Sequence, residues 1–191
     1  MLEIELVEVP AGEFIMGSDA SRADDEKPQH RVYLPTYQIS KYPVTNAQFE
    51  EFVNKTRYQT TAEKERSEYT WRTPRGAGSG IRNKLDYPVV SVSWHDALAY
   101  ANAVRMRLPT EAEWEKAARG TDGRVYPWGN QFDERRCNVW SEGDTTPVTK
   151  YPAGASPYGA LDMGGNVWEW CQSQYAKYPY RVDGREYIAA N

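Results

Sequence analysis

Leu108-Pro-Thr-Glu-Ala-Glu-Trp-Glu-Lys-Ala-Ala-Arg-Gly120 is the most fully specified element in the chain. Thr110 stands where a helix N-cap belongs, and Glu113, three residues on, can reach back to the cap amide. Acidic residues crowd the positive end of this helix, while Lys116 and Arg119 sit toward its negative end. Gly120 is placed to stop it after about three turns. Upstream, Ser93 with Asp96 opens a second helix from about Trp94 to Val104. Thr45 with Gln48 opens a third, with Val44 set against Phe49 as a hydrophobic staple. The pattern predicts an α+β fold with low regular secondary structure, in which a few short helices accompany small antiparallel sheets.

The remaining segments agree with that expectation. Ile4 to Met16 is rich in β-formers and is interrupted by Pro10-Ala11-Gly12, which reads as a hairpin turn. Arg31 to Tyr42 and Pro88 to Val92 read as strands. Thr56 to Asp86 lacks periodicity and reads as a long surface loop around Trp71, the candidate specificity surface. After Thr121 only turns and short extended pieces are predicted.

At 191 residues the chain suits one domain, residues 1–191. Its 40% hydrophobic and 26% charged content argues against disorder or a membrane span. Seven Trp, 14 Tyr, 14 Gly and 12 Pro suit loops and short strands pinned by aromatic anchors better than a helical bundle. The net charge of −4 has no long block of either sign, so nucleic acid is not expected as a partner. The start, Met1 to Val9, alternates charged with apolar residues instead of forming a secretion signal. A native start of this kind implies the cytoplasm. A monomer is the expected state. Cys137 and Cys171 fit no zinc spacing and read as two free thiols in preference to one bridge.

Six blocks in order carry a resemblance. They are Val9-Pro-Ala-Gly-Glu-Phe-Ile-Met-Gly-Ser18, Tyr42-Pro-Val-Thr-Asn46, Pro88-Val-Val-Ser-Val-Ser-Trp94, Arg107-Leu-Pro-Thr-Glu-Ala-Glu-Trp-Glu115, Tyr126-Pro-Trp-Gly129 and Gly165-Asn-Val-Trp-Glu-Trp170. The chain resembles the formylglycine-generating-enzyme, or sulfatase-modifying-factor, family, which implies a C-type-lectin-like fold. In that family the last block is followed by an Arg-Gly-Gly-Ser-Trp-like block. A closing segment then carries the two copper-binding cysteines of the catalytic members. The resemblance implies that this chain is incomplete at its C-terminus. Cys137 and Cys171 match neither cysteine, so no catalytic residue is assigned, and copper is expected only if a further segment supplies the pair.

Extended geometry at Asn166 to Trp170 sends Trp168 and Trp170 to one face, as core anchors, and Val167 and Glu169 to the other. Glu169, the nearby Asp162 and main-chain carbonyls can then surround a hard cation, which calcium, with its six to eight oxygen ligands, suits. The resemblance implies calcium on Asp162, Gly165, Val167 and Glu169, the glycine and valine through carbonyls. It implies a second calcium on Asn138 and Val139 with an acidic partner in the next loop, for which Asp144 is the candidate. His30 and His95 assemble no Ser/His/Asp or Cys/His constellation and read as structural or solvated. Two functions follow as expectations: a calcium-stabilised, lectin-like scaffold that binds a protein or small molecule, or part of an oxidase that converts a sulfatase cysteine to formylglycine with copper and oxygen.

Overall fold

The computed structural model describes residues 3–139 and 143–181. Among the described residues four strands, β1 (Leu6–Val9), β2 (Gly12–Met16), β3 (His30–Leu34) and β4 (Tyr37–Ser40), form two antiparallel pairs, β1 with β4 and β2 with β3. The hairpin expected at Pro10 to Gly12 does not form. Val9 lies opposite Tyr37 and Gly12 opposite Leu34, so both pairs keep one register and make a single ribbon. Pro10 on one strand and Pro35 on the other lack an N–H to continue the ladder. The ribbon therefore breaks there, and Thr36 Oγ1 accepts the Ala11 N–H at 3.0 Å in place of a ladder bond.

Four α-helices follow among the described residues: α1 (Asn46–Thr56), α2 (Thr61–Lys64), α3 (Trp94–Ala103) and α4 (Glu111–Arg119). Each opens on a capping box, at Thr45/Gln48, Thr60/Glu63, Ser93/Asp96 and Thr110/Glu113. Gly120 ends α4 and donates its N–H to the Lys116 carbonyl. Lys116 itself is 1% exposed, and its Nζ donates to the carbonyls of Pro10 at 2.7 Å and Gly12 at 2.9 Å. It fastens α4 to the break in the ribbon instead of sitting at the helix surface.

Pro88 to Val92, expected as a strand, contributes one bridge, Pro88 to Thr45, and Ser91 has φ of +57°. Left-handed backbone ends any ladder at that point. The segment 56–86 is more than a surface loop. Trp71 is 0% exposed and meets Phe49 edge-on at 5.2 Å, inside a core of Phe49, Phe52, Val53, Ile81 and Tyr100. Trp71 is therefore a packing residue and not part of a specificity surface. A second core, of Val9, Ala117 and Met163, joins the ribbon to α4 and to the segment after Gly159. Among the described residues no helix is long and apolar enough to cross a membrane.

Candidate functional site

The segments 133–139, 143–148 and 159–172 converge through one side chain. Asn166, at φ +70°, donates from Nδ2 to Asp162 Oδ2 at 2.8 Å and to the Thr146 carbonyl at 3.1 Å. Its Oδ1 accepts from the Thr146 N–H at 2.9 Å and from Asn138 Nδ2 at 3.3 Å. Its backbone N–H donates to the Asn138 carbonyl at 2.8 Å. Gly165 is required beside it, because a Cβ there would stand 2.6 Å from that carbonyl oxygen. Asn166 was not singled out as a site residue from the sequence, although it lies in the quoted Gly-Asn turn. An amide with two donors and a two-lone-pair acceptor is the side chain suited to tie three loops.

Asp162 is 8% exposed, takes φ +60°, and accepts the Gly165 N–H at its carbonyl. Burial raises its carboxyl pKa to about 6, against the lowering effect of the Asn166 hydrogen bond. Glu169 is half-buried and accepts from Trp114 Nε1 at 3.0 Å. Burial pushes it up to about 7, and the neighbouring Asp162 charge adds to the rise. Neither carboxylate has an ion-pair partner among the described residues. The structure thus brings Asp162, Gly165, Asn138 and Asn166 into one network and places Glu169 within electrostatic reach of it.

Glu169 turns inward against Trp114 while Trp168 is fully exposed, which reverses the facing expected for the Trp-Glu-Trp block. Trp170 is half-exposed and donates its indole N–H to the Val92 carbonyl at 3.1 Å. The reversal has a polar cause: the Trp114 indole supplies Glu169 with a hydrogen bond. Residues 170–172 are held to the starts of α3 and α4, with Trp94 Nε1 donating to the Cys171 carbonyl at 2.9 Å and Gln172 N–H to that of Pro109 at 2.7 Å.

The other expected metal residues divide. Asn138 is buried, and Val139, half-exposed, packs by Cγ1 toward Gly165. Asp144 accepts Asn138 Nδ2 at its carbonyl, 2.7 Å, while its carboxylate pairs with Lys84 Nζ at 2.5 Å and the Arg75 guanidinium at 3.2 Å. Burial pulls the Asp144 carboxyl up, and these cations with the Thr145 N–H hold it below the usual range.

Beside Glu169 a cleft of about 470 Å³ opens between the ribbon, α3 and the 161–170 segment; Tyr37, Ile39, Tyr100, Leu108, Met163 and Glu169 are among its walls. Its lining is mainly apolar with few polar groups, the character of a ligand cleft. Both cysteines are free thiols. Burial raises the Cys137 thiol and pushes Cys171 up to about 12, where Glu169, Glu111 and Glu113 add to the effect. Neither is a thiolate at neutral pH. His30 accepts the Tyr180 N–H at Nε2, 2.8 Å, and its Nδ1 faces the Pro28 carbonyl at 2.8 Å, a structural role.

Residues 3–190 match the model of the sulfatase-modifying factor enzyme 1-like domain. The chain is 40% identical to an inactive C-alpha-formylglycine-generating enzyme 2 of Bos taurus, over 90% of this chain and 71% of that protein. It is 37% identical to a formylglycine-generating enzyme of Thermomonospora curvata, over 87% and 70% respectively. The structure of PvdO from Pseudomonas aeruginosa shares the fold, with a TM-score of 0.75 at 26% identity, covering 97% of this chain and 77% of that one.

Proposed function

The chain belongs to the sulfatase-modifying factor enzyme 1-like domain family, and from that membership we propose that it serves as a calcium-stabilised, lectin-like scaffold whose apolar cleft receives a protein or small-molecule ligand. One observation carries the reading. Asp162 and Glu169 are two inward-turned carboxylates, each raised by burial and Glu169 further by the Asp162 charge, with no ion-pair partner among the described residues, and Glu169 also forms part of the cleft wall. Burying such charge unpaired is costly, and a bound cation removes the cost.

The donors present suit a hard cation. No three of His, Cys, Asp and Glu cluster among the described residues, so the pair would be completed by carbonyl oxygens, those of Gly165 and Val167 being the nearest in sequence. Calcium accepts such a set, whereas softer metals favour imidazole and thiolate. Calcium would supply no chemistry of its own here. It would hold the 162–169 segment in the conformation that Asn166 already ties, and so shape the cleft.

The second reading, an oxidase that forms formylglycine in a sulfatase with copper and oxygen, draws on the relative of that name. Cys137 and Cys171 do not fit copper. Burial raises both thiols, and neither belongs to a group of three or more His, Cys, Asp and Glu side chains among the described residues. Incubation with a cysteine-containing sulfatase-type peptide, copper and oxygen, read by mass spectrometry, separates the two. The scaffold reading expects unchanged peptide and a melting temperature raised by calcium; aldehyde formation would replace it with the oxidase.

A further inference from the structure

We infer that Lys84 and Arg75 stand in for the second family cation in this chain, so that the loop at Asp144 is closed by an internal ion-pair clasp and takes up no calcium. Two observations point the same way. Both Asp144 oxygens are already occupied: Oδ2 by Lys84 Nζ at 2.5 Å and Oδ1 by the Arg75 guanidinium at 3.2 Å. A calcium ion within bonding distance of either oxygen would lie within a few ångströms of two positive groups. Asn138, the other side-chain donor of that position, presents the wrong atom. Its Nδ2 lies 2.7 Å from the Asp144 carbonyl and 3.3 Å from Asn166 Oδ1, two acceptors that fix the amide with its N–H groups toward the loop.

Both cations are placed by backbone structure and not by chance surface contact. The Lys84 N–H donates to the Ile81 carbonyl at 2.8 Å, and the Lys84 carbonyl accepts Asn46 Nδ2 at 2.8 Å, from the first residue of α1. Arg75 also donates to the Gly143 carbonyl at 2.5 Å, and its own N–H donates to Ser79 Oγ at 2.9 Å. The clasp thereby joins 143–146 to the 75–84 loop across a cavity of about 510 Å³. Asn166 continues the connection from Thr146 to Asp162.

The clasp makes two claims that are read separately. Thermal melting of the intact chain, Lys84→Met, Asp144→Asn and the double variant, each in calcium and in chelator, reads the coupling. Each single change is expected to lower the melting temperature by roughly 2–4 °C, the scale of one partly exposed charged pair in a chain of this size. The double variant should fall no further than Asp144→Asn alone, and the losses should be equal in calcium and chelator. Native mass spectrometry across a calcium titration reads the count. It is expected to be one per chain, a number that rests on the Asp162/Glu169 centre proposed above, and unchanged by Asp144→Asn. A second calcium that Asp144→Asn removes, or losses that simply add in the double variant, would overturn the clasp. A count of zero with the coupling intact would overturn the first centre and leave the clasp standing.

Discussion

Glu169 titrates on the unusual side of its ordinary range, and the sign of the consequence is definite. Its pKa rises from 4.5 to about 7 on folding, and that of Asp162 from 3.8 to about 6. A carboxyl raised by folding binds its proton more tightly in the native state, so the metal-free protein loses stability as pH rises through the window from 3.8, the ordinary Asp162 value, to about 7, the folded Glu169 value. Replacing Glu169 by Gln keeps an acceptor for Trp114 and removes the charge. In chelator at pH 8, Glu169→Gln should be more stable than the parent by about 2–3 kcal/mol, and the gap should close by about pH 4.5. Denaturant melts at the two pH values check this. Lys116 carries the opposite expectation. Lys116→Met leaves the Pro10 and Gly12 carbonyls without their buried donor, which should cost about 2–3 kcal/mol in the same measurement.

At the scale of elements, the caps decide where helices begin. Thr110 accepts the Glu113 N–H, and Glu113 is gripped by both guanidinium nitrogens of Arg107 at 2.6 Å. Thr110→Ala should destabilise the protein by about 1 kcal/mol and Glu113→Ala by more, because Arg107 then loses its partner as well; urea midpoints at constant slope would report both. Three of the four caps were legible in the sequence, since the Ser/Thr-x-x-Asp/Glu/Gln spacing is a local signal. The fourth, Thr60-Thr-Ala-Glu63, has the same spacing but opens only one turn of helix within a stretch without apolar periodicity. The ribbon was not legible as such. Two β-rich runs flanking Pro10 and Gly12 satisfy a local hairpin equally well, and only the long-range partners show that Pro10 faces a break shared with Pro35. At the site, Asp162 and Glu169 could be chosen by residue type. The hub role of Asn166, the Trp114 contact and the capture of Asp144 by Lys84 depend on residues 20 to 60 positions apart, and no spacing rule carries them.

At the scale of the whole molecule, two tryptophans stand in opposite surroundings. Trp71 lies at the centre of the aromatic core, whereas Trp168 stands fully exposed at the mouth of the cleft. Trp71→Ala should cost about 3–5 kcal/mol, and Trp168→Ala should stay within about 0.5 kcal/mol of the parent, as calorimetry would record. Sequence composition made aromatic anchoring legible but not its assignment, because a tryptophan at a loop and one in a β-like block carry no local mark of which is buried. The loops of residues 138–166 are tied at two points, the Asn166 network and the Lys84/Arg75 clasp. Among the described residues, only the first leaves carboxylate charge without an ion-pair partner.

That difference is most directly tested by calorimetric melting at pH 8 with calcium and with chelator, on the parent chain and on a variant carrying Asp162→Asn with Glu169→Gln. The expected result is a melting temperature that calcium raises in the parent and does not move in the variant, since a ligand bound only by the native state stabilises it. Equal melting temperatures of the parent in calcium and chelator, or a variant that responds to calcium as the parent does, would contradict the calcium-stabilised scaffold.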